Sequence, residues 1–128
     1  MERLLHYVWK YKLYAAASLA TTDGRPVQVI DPGMQNTDAG PDFFNAKIKI
    51  DGTLWAGSVE IHDKASDWLL HHHDTDKAYD SVVLHVTGVD DFLPVRTNGE
   101  PIPQLVLAVP DTVARSIDWL LYREASLP

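Results

Sequence analysis

The stretch from Phe43 to His62 limits what this chain can fold into more than any other. Phe44, Ala46, Ile48 and Ile50 alternate with Asn45, Lys47, Lys49 and Asp51, the period of a half-buried strand over residues 43–50. Asp51-Gly52 then supplies the residue pair that best accepts a two-residue hairpin loop. A second strand runs from Thr53 to His62, with Trp55, Val59 and Ile61 on one face and Leu54, Ala56, Ser58, Glu60 and His62 on the other. Gly57 within it marks a bulge or a close backbone approach. Asp42, behind Gly40-Pro41, opens the first strand and Glu60 closes the second. The hairpin therefore brings two carboxylates and His62 to one edge of a sheet.

The remaining elements follow from the same reading. Leu4, Leu5, Val8, Trp9 and Leu13 recur at helical spacing, and Ala15, Ala16 and Ala17 add propensity, so an amphipathic helix is predicted over 3–17. Thr22 to Pro26 is a turn, Val27 to Val29 a short strand that Asp31-Pro32-Gly33 stops, and residues 36–41 a polar surface loop. Ser66 is the predicted cap of a helix over 66–73, with a further helical turn through Tyr79. Val82 to Val86 reads as a buried strand. Val95-Arg96, the Asn98-Gly99 turn and Leu105 to Val109 suggest another hairpin, and Pro110-Asp111 introduces a final helix to about residue 123. The predicted core includes Leu5, Val8, Phe44, Ile48, Val59, Ile61, Trp68, Val83 and Val86.

Length and composition exclude several classes. A chain of 128 residues without repeats is expected to form one domain, burying roughly two-thirds of its unfolded surface. No apolar run approaches the roughly 20 residues that span a bilayer. The start, Met1 to Tyr7, lacks the pattern of a signal peptide, so no membrane partner and a cytoplasmic location are expected. The absence of cysteine removes disulfides and thiolates and leaves only oxygen and imidazole ligands for a metal. A net charge of -7 argues against a broad basic nucleic-acid surface.

Candidate site residues each carry two readings. Asp42 and Glu60 suit a paired-carboxylate site for a divalent ion, and His62 alternates onto the Glu60 face as a third ligand or a water-positioning base. Alone, an Asp after Pro at a strand start such as Asp42 is usually a turn or capping residue, and Glu60 reads also as an exposed strand residue with a lysine partner. His71 and His73 read as C-terminal helix residues favoured by the dipole, or as groups supporting the site or contacting a phosphate. His85, among valines, reads as a hydrogen-bonded core histidine. Lys47 and Lys49 form a solvated or phosphate-facing strand side.

The element order resembles the common core of the restriction-endonuclease-like, or PD-(D/E)XK, superfamily. Pro41-Asp42 matches its first motif element, and Glu60-Ile61-His62 its second, with histidine where that superfamily usually has lysine. The resemblance implies an α/β (α+β) fold, a central mixed sheet flanked by helices, here with an extra C-terminal hairpin and helix. It also implies Mg2+ or Mn2+ on Asp42 and Glu60, and nucleic acid as partner. His62 then replaces the lysine, or Lys47 or Lys64 supplies a displaced ammonium. Gly40 to Ile48, Val59-Glu60-Ile61-His62, Ser66-Asp67-Trp68, His71 with His73, and Leu84-His85-Val86 together resemble an uncharacterised bacterial domain-of-unknown-function family common in Bacteroidetes. Its members are usually much longer, which implies that this chain is an N-terminal portion of such a protein.

Three function classes stay open. One is a metal-dependent nuclease or phosphodiesterase built on Asp42, Glu60 and His62. Another is a catalytically degenerate nuclease fold that serves as an interaction module. The third is a zinc-binding or zinc-hydrolase domain using His62, His71, His73 and Asp42. Adjacent Asp42 and Glu60 carboxylates favour the first two, and convergence of three imidazoles favours the third.

Overall fold

Asp51 and Gly52 both adopt positive φ, 49° and 81°, and Ile50 pairs with Thr53 across them. The predicted two-residue hairpin thus forms and sets the register of the strands on either side. A computed structural model describes residues 2–116. These residues form a mixed α+β fold with one six-stranded sheet and few helices. Helix α1 (Glu2–Lys10) is followed by strands β1 (Val27–Asp31), β2 (Met34–Gln35), β3 (Phe43–Ile50) and β4 (Thr53–Lys64). Then come α2 (Asp67–Leu70), 3-10 turns at His73–Thr75 and Lys77–Tyr79, β5 (Val82–Val89), β6 (Gln104–Val106) and α3 (Asp111–Arg115). The sheet runs β1-β3-β4-β5-β6, with β2 also paired to β3. Strands β1 to β4 pair antiparallel, whereas β5 joins β4, and β6 joins β5, in parallel.

The parallel β4 to β5 connection requires a crossover, which the segment holding α2 and the two 3-10 turns supplies. Helix α1 packs on the other face, where Leu4, Leu5, Val8 and Trp9 meet Phe43, Ile48, Val59, Ile61 and Val86 in the main core. A smaller cluster of Trp68, Val82 and Ile102 lies beneath the crossover. Residues 58–62 of β4 are therefore buried on both faces. Glu60 and His62 lie on an interior strand between β3 and β5, with Asp42 just ahead of β3, and not at a sheet edge as the hairpin alone suggests.

Other differences from the sequence-based expectations have local causes. Asn45 sits at φ 57°, and β3 places Phe43 opposite Val59 but Ala46 opposite Gly57, one residue too many. This bulge rotates the strand, so Phe43 enters the core with Ala46, Ile48 and Ile50 while Phe44 is only half-buried. Helix α1 stops at Lys10 and not at residue 17, because Lys12 turns left-handed at φ 54°. The N–H of Lys12 then donates to the Trp9 carbonyl and that of Leu13 to the Val8 carbonyl, a Schellman closure that overrides the alanine run. Of that run only a 3-10 turn at Ala16–Ser18 forms.

Ser66 does not cap α2, which is a single turn. Its N–H and hydroxyl both donate to Asp91 instead. The predicted hairpin over 95–109 reduces to one bridge, Val95 to Pro101, because Gln104–Val106 pairs with β5. The two-residue β2 has no predicted counterpart. Gly57 is a close approach, since a Cβ there would stand 2.6 Å from the Ser81 carbonyl oxygen. Pro110-Asp111 does open α3, and the expected continuation of that helix to residue 123 lies outside the described residues.

The bulge generates a stability test. Phe43→Ala, at a position with no solvent exposure, is expected to lose about 3–5 kcal/mol in urea unfolding, and Phe44→Ala about 1 kcal/mol or less. Equal losses would contradict the bulged register.

Candidate metal centre

The sheet register assembles a polar row on the face away from α1. Glu60 on β4 aligns with His85 on β5, and His85 aligns with Gln104 on β6. His62 lies two residues along β4 and so shares the Glu60 face. Glu60 is 4% exposed, His62 1%, His85 0% and Gln104 2%. Four polar side chains this deep need partners, and the partners define the site.

Glu60 has its two carboxylate oxygens directed at different groups. Oε1 accepts from the Asp42 backbone N–H at 3.0 Å. Oε2 stands 2.9 Å from His73 Nε2 and 3.2 Å from His62 Nε2. Asp42 returns the clasp, with Oδ2 accepting from the Ile61 N–H at 2.8 Å. The acids thus meet as the sequence suggests, but Asp42 is reached through the Glu60 oxygen that faces away from the imidazoles. On α1, His6 brings Nε2 to 3.6 Å from Asp42 Oδ2.

The crossover delivers the other histidines. His71 caps the C-terminus of α2 and is exposed, which agrees with the helix-end reading of its backbone. His72 then adopts φ 60°, a left-handed conformation uncommon for a residue with a Cβ. The chain reverses there and buries His73 against Glu60. One ring nitrogen from each of His62, His71 and His73 lies within 4.8 Å of the other two. Tyr79 stacks on His73 at 3.6 Å between ring centroids, and Trp68 meets His73 and His85 edge-on. His73 Nδ1 is buried without a hydrogen-bond partner among the described residues.

Behind the site, His62 Nδ1 lies 2.8 Å from His85 Nε2, and His85 Nδ1 lies 2.8 Å from Gln104 Oε1. Gln104 donates through Nε2 to Asp90 at 2.7 Å and to the Phe92 carbonyl at 2.9 Å. His85 is thus the buried, hydrogen-bonded residue its valine neighbours suggest, and it is also joined to the site. Lys47 and Lys64 are exposed, and Lys64 faces Asp91, so neither is among the groups that meet Glu60.

The electrostatics follow from burial and pairing. Burial pushes the Asp42 carboxyl up, and the adjoining Glu60 charge, with a hydrogen bond between the two acids, pushes it further. Burial also works against ionised Glu60, but hydrogen bonds from His62, His73 and Asp42 outweigh it and hold that carboxyl below its ordinary range. The adjoining acids thus oppose ionisation of both at once, with Asp42 pushed up and Glu60 held down. Burial lowers His6, and it lowers His85 to about 4. Tyr79 rises to about 12 through burial and the Glu60, Asp42 and Asp76 carboxylates.

The family described as protein of unknown function (DUF2851) matches residues 2–128. The chain belongs to the DUF2851 family. No curated protein and no solved structure matches it. Among the described residues of this DUF2851 chain, no helix is long and apolar enough to cross a membrane.

Sequence reasoning placed Asp42, Glu60, His62, His71 and His73 in one neighbourhood, and the structure brings all five there. It overlooked Gln104, Tyr79 and His6. Gln104 precedes an apolar run, and only the parallel pairing of β6 gives it a role.

The depressed His85 sets a pH dependence. Unfolded, His85 protonates near its ordinary 6.5, while folded it resists until about pH 4. The unfolded chain therefore binds the extra proton between those values, and stability falls as pH is lowered through that window. In urea unfolding with EDTA, the advantage of wild type over His85→Gln should shrink by on the order of 3 kcal/mol from about pH 7.5 to about pH 4. A constant difference would mean that His85 is not neutral in the fold.

Proposed function

We propose that this domain binds one divalent transition-metal ion through His62, His71, His73 and Glu60, and that the ion serves hydrolytic chemistry. Convergence of three imidazoles beside a buried carboxylate carries the reading. Ligands at about 2.0–2.1 Å from one ion lie about 2.9–3.4 Å apart along an edge of its coordination shell. The Glu60 separations of 2.9 and 3.2 Å fall in that range. Imidazole donors suit Zn2+ or a related ion ahead of Mg2+, which prefers oxygen ligands, so the donor set favours zinc over the Mg2+ or Mn2+ that the nuclease resemblance implies.

Exposure of His71 leaves one side of the centre open to solvent, as in catalytic more than structural sites. Bound there, the ion would supply Lewis acidity, and an activated water if it took a fifth ligand on the open side. The chain's own contribution is the acid pair. Asp42, its carboxyl pushed up, and Glu60, its carboxyl held down, adjoin at the rim of the imidazole cluster, which suits one as proton donor and the other as acceptor.

Phosphodiester cleavage is the second reading, favoured by the contact between the Asp42 and Glu60 carboxylates. In it nucleic acid is the substrate. The bacterial setting rests on the sequence resemblance.

Calorimetric titration of chelator-treated protein with Zn2+ is expected to give one site. His62→Ala and His73→Ala should each weaken binding at least 100-fold, and His71→Ala less because His71 is exposed. Asp42→Asn should leave Zn2+ affinity within a few-fold. At a free Zn2+ concentration 100 times Kd, wild type should gain about 2.7 kcal/mol of stability that EDTA removes. Binding of Mn2+ lost in both Asp42→Ala and Glu60→Ala, without Zn2+ binding, would instead establish the paired-carboxylate phosphodiesterase site.

A further inference from the structure

Two buried side chains behind the centre, His85 and Gln104, join His62 to the exposed Asp90 carboxylate. His85, Gln104 and the Asp90 carboxylate form a chain of hydrogen bonds ending on His62 Nδ1. The direction of every proton in it follows from one group that has no choice. The Phe92 carbonyl can only accept, so the Gln104 atom 2.9 Å from it is the amide nitrogen. The other Gln104 atom is then the oxygen, which also only accepts. His85 Nδ1, 2.8 Å from that oxygen, must carry a hydrogen. In a neutral, fully buried His85 the opposite nitrogen, Nε2, is a lone pair, and it accepts from His62 Nδ1 at 2.8 Å. His62 thus carries a hydrogen on Nδ1, and its Nε2, which donates to Glu60 Oε2 when no ion is bound, is the nitrogen left to exchange that hydrogen for an ion.

We propose that His85 and Gln104 are positioning residues that fix the tautomer and ring plane of His62, so that its Nε2 is held as a metal ligand. The inference rests on the metal-binding reading above and adds the device that prepares one ligand. A ligating histidine commonly donates its second nitrogen to a carboxylate or carbonyl. Here the acceptor is another imidazole, and its orientation is set one residue further back, at the Gln104 amide anchored by a main-chain carbonyl and Asp90. The register explains why the chain can be built. Glu60, His85 and Gln104 occupy aligned positions on three adjacent strands, so His62, two residues on from Glu60, needs only to lean toward β5. Trp68 closes the edge of His85 and keeps water from replacing it as the acceptor.

The experiment combines two readouts. Imidazole 15N NMR of wild type, with and without Zn2+, should show His62 protonated at Nδ1 in both states, with a scalar coupling to His85 Nε2 across the hydrogen bond. With Zn2+ the Nε2 resonance should shift to a coordinated position. Zn2+ titration of His85→Leu should show affinity lowered about 10 to 100-fold, whereas His85→Gln, whose amide oxygen can still accept from His62, should stay within a few-fold of wild type. Gln104→Met should weaken binding and reduce the fraction of His62 protonated at Nδ1. A His62 bare at Nδ1 in wild type overturns the proposal whatever the variants do, including variants that fail to fold. Equal Zn2+ affinity in folded His85→Leu and wild type overturns it too. If wild type binds no Zn2+, the metal reading fails, and the NMR result alone decides whether the relay sets the His62 tautomer.

Discussion

An ionised carboxylate with 4% exposure is a large electrostatic liability, and the arrangement around Glu60 is what makes it tolerable. Removing such a group from water costs several kcal/mol after relaxation, and only close donors in good geometry offset it. Glu60 receives the Asp42 N–H on one oxygen and faces two imidazole nitrogens with the other. Each donor is fixed by a different part of the fold. The tight Asp51-Gly52 loop and the bulge at Asn45 set Asp42 opposite Glu60. The left-handed His72 returns His73 from the crossover. Strand alternation places His62 on the same face. Loss of any of these would leave a buried charge short of a partner.

Strand β4 consequently has two unlike faces, both covered. Val59 and Ile61 enter the apolar core under α1, where their burial drives folding in the ordinary way. Glu60 and His62 are buried just as deeply with no hydrophobic gain. Well-packed apolar residues would stabilise an interior strand as well or better. A chain that maintains a carboxyl pair, a histidine cluster and an amide relay on that face has traded stability for a preorganised polar surface, which is the usual character of a functional site. The crossover that parallel pairing of β5 demands is also the segment that contributes His71, His73, Tyr79 and Trp68. Topology and site therefore come from the same connection.

What could be read from the sequence was what depends on neighbours along the chain. The hairpin, the alternation of β3 and β4, and the Asp42, Glu60 and His62 cluster follow from period and turn chemistry. The limits lie where a distant contact decides. Phe44 reads as core by strict alternation, and one left-handed asparagine gives the position to Phe43. The alanine run after Leu13 has helix propensity, yet Lys12 closes the helix first. Ser66 has the chemistry of a cap, but Asp91, far along the chain, takes both of its donors. Gln104 carries no local signal, because its partners come from β5 and from the segment after it.

The same polar network would be less informative if every member were satisfied. A complete hydrogen-bonded cluster can be purely structural, specifying one packing at some expense of stability. Here two buried imidazole nitrogens, His73 Nδ1 and His6 Nε2, find no partner among the described residues, on opposite sides of the Asp42 and Glu60 pair. His6 Nε2 is 3.6 Å from Asp42 Oδ2, beyond a hydrogen bond but within reach of a bridging group. Meanwhile the nitrogens behind the site, at His62 Nδ1 and on both sides of His85, are all bonded within 2.8 Å. The relay behind His62 is thus fully bonded, whereas the two histidines that approach the acid pair, His73 through Nε2 and His6 at longer range, each keep one buried nitrogen without a partner among the described residues. Such groups are costly in a purely structural network, so their persistence beside the acid pair fits a site better than a packing device.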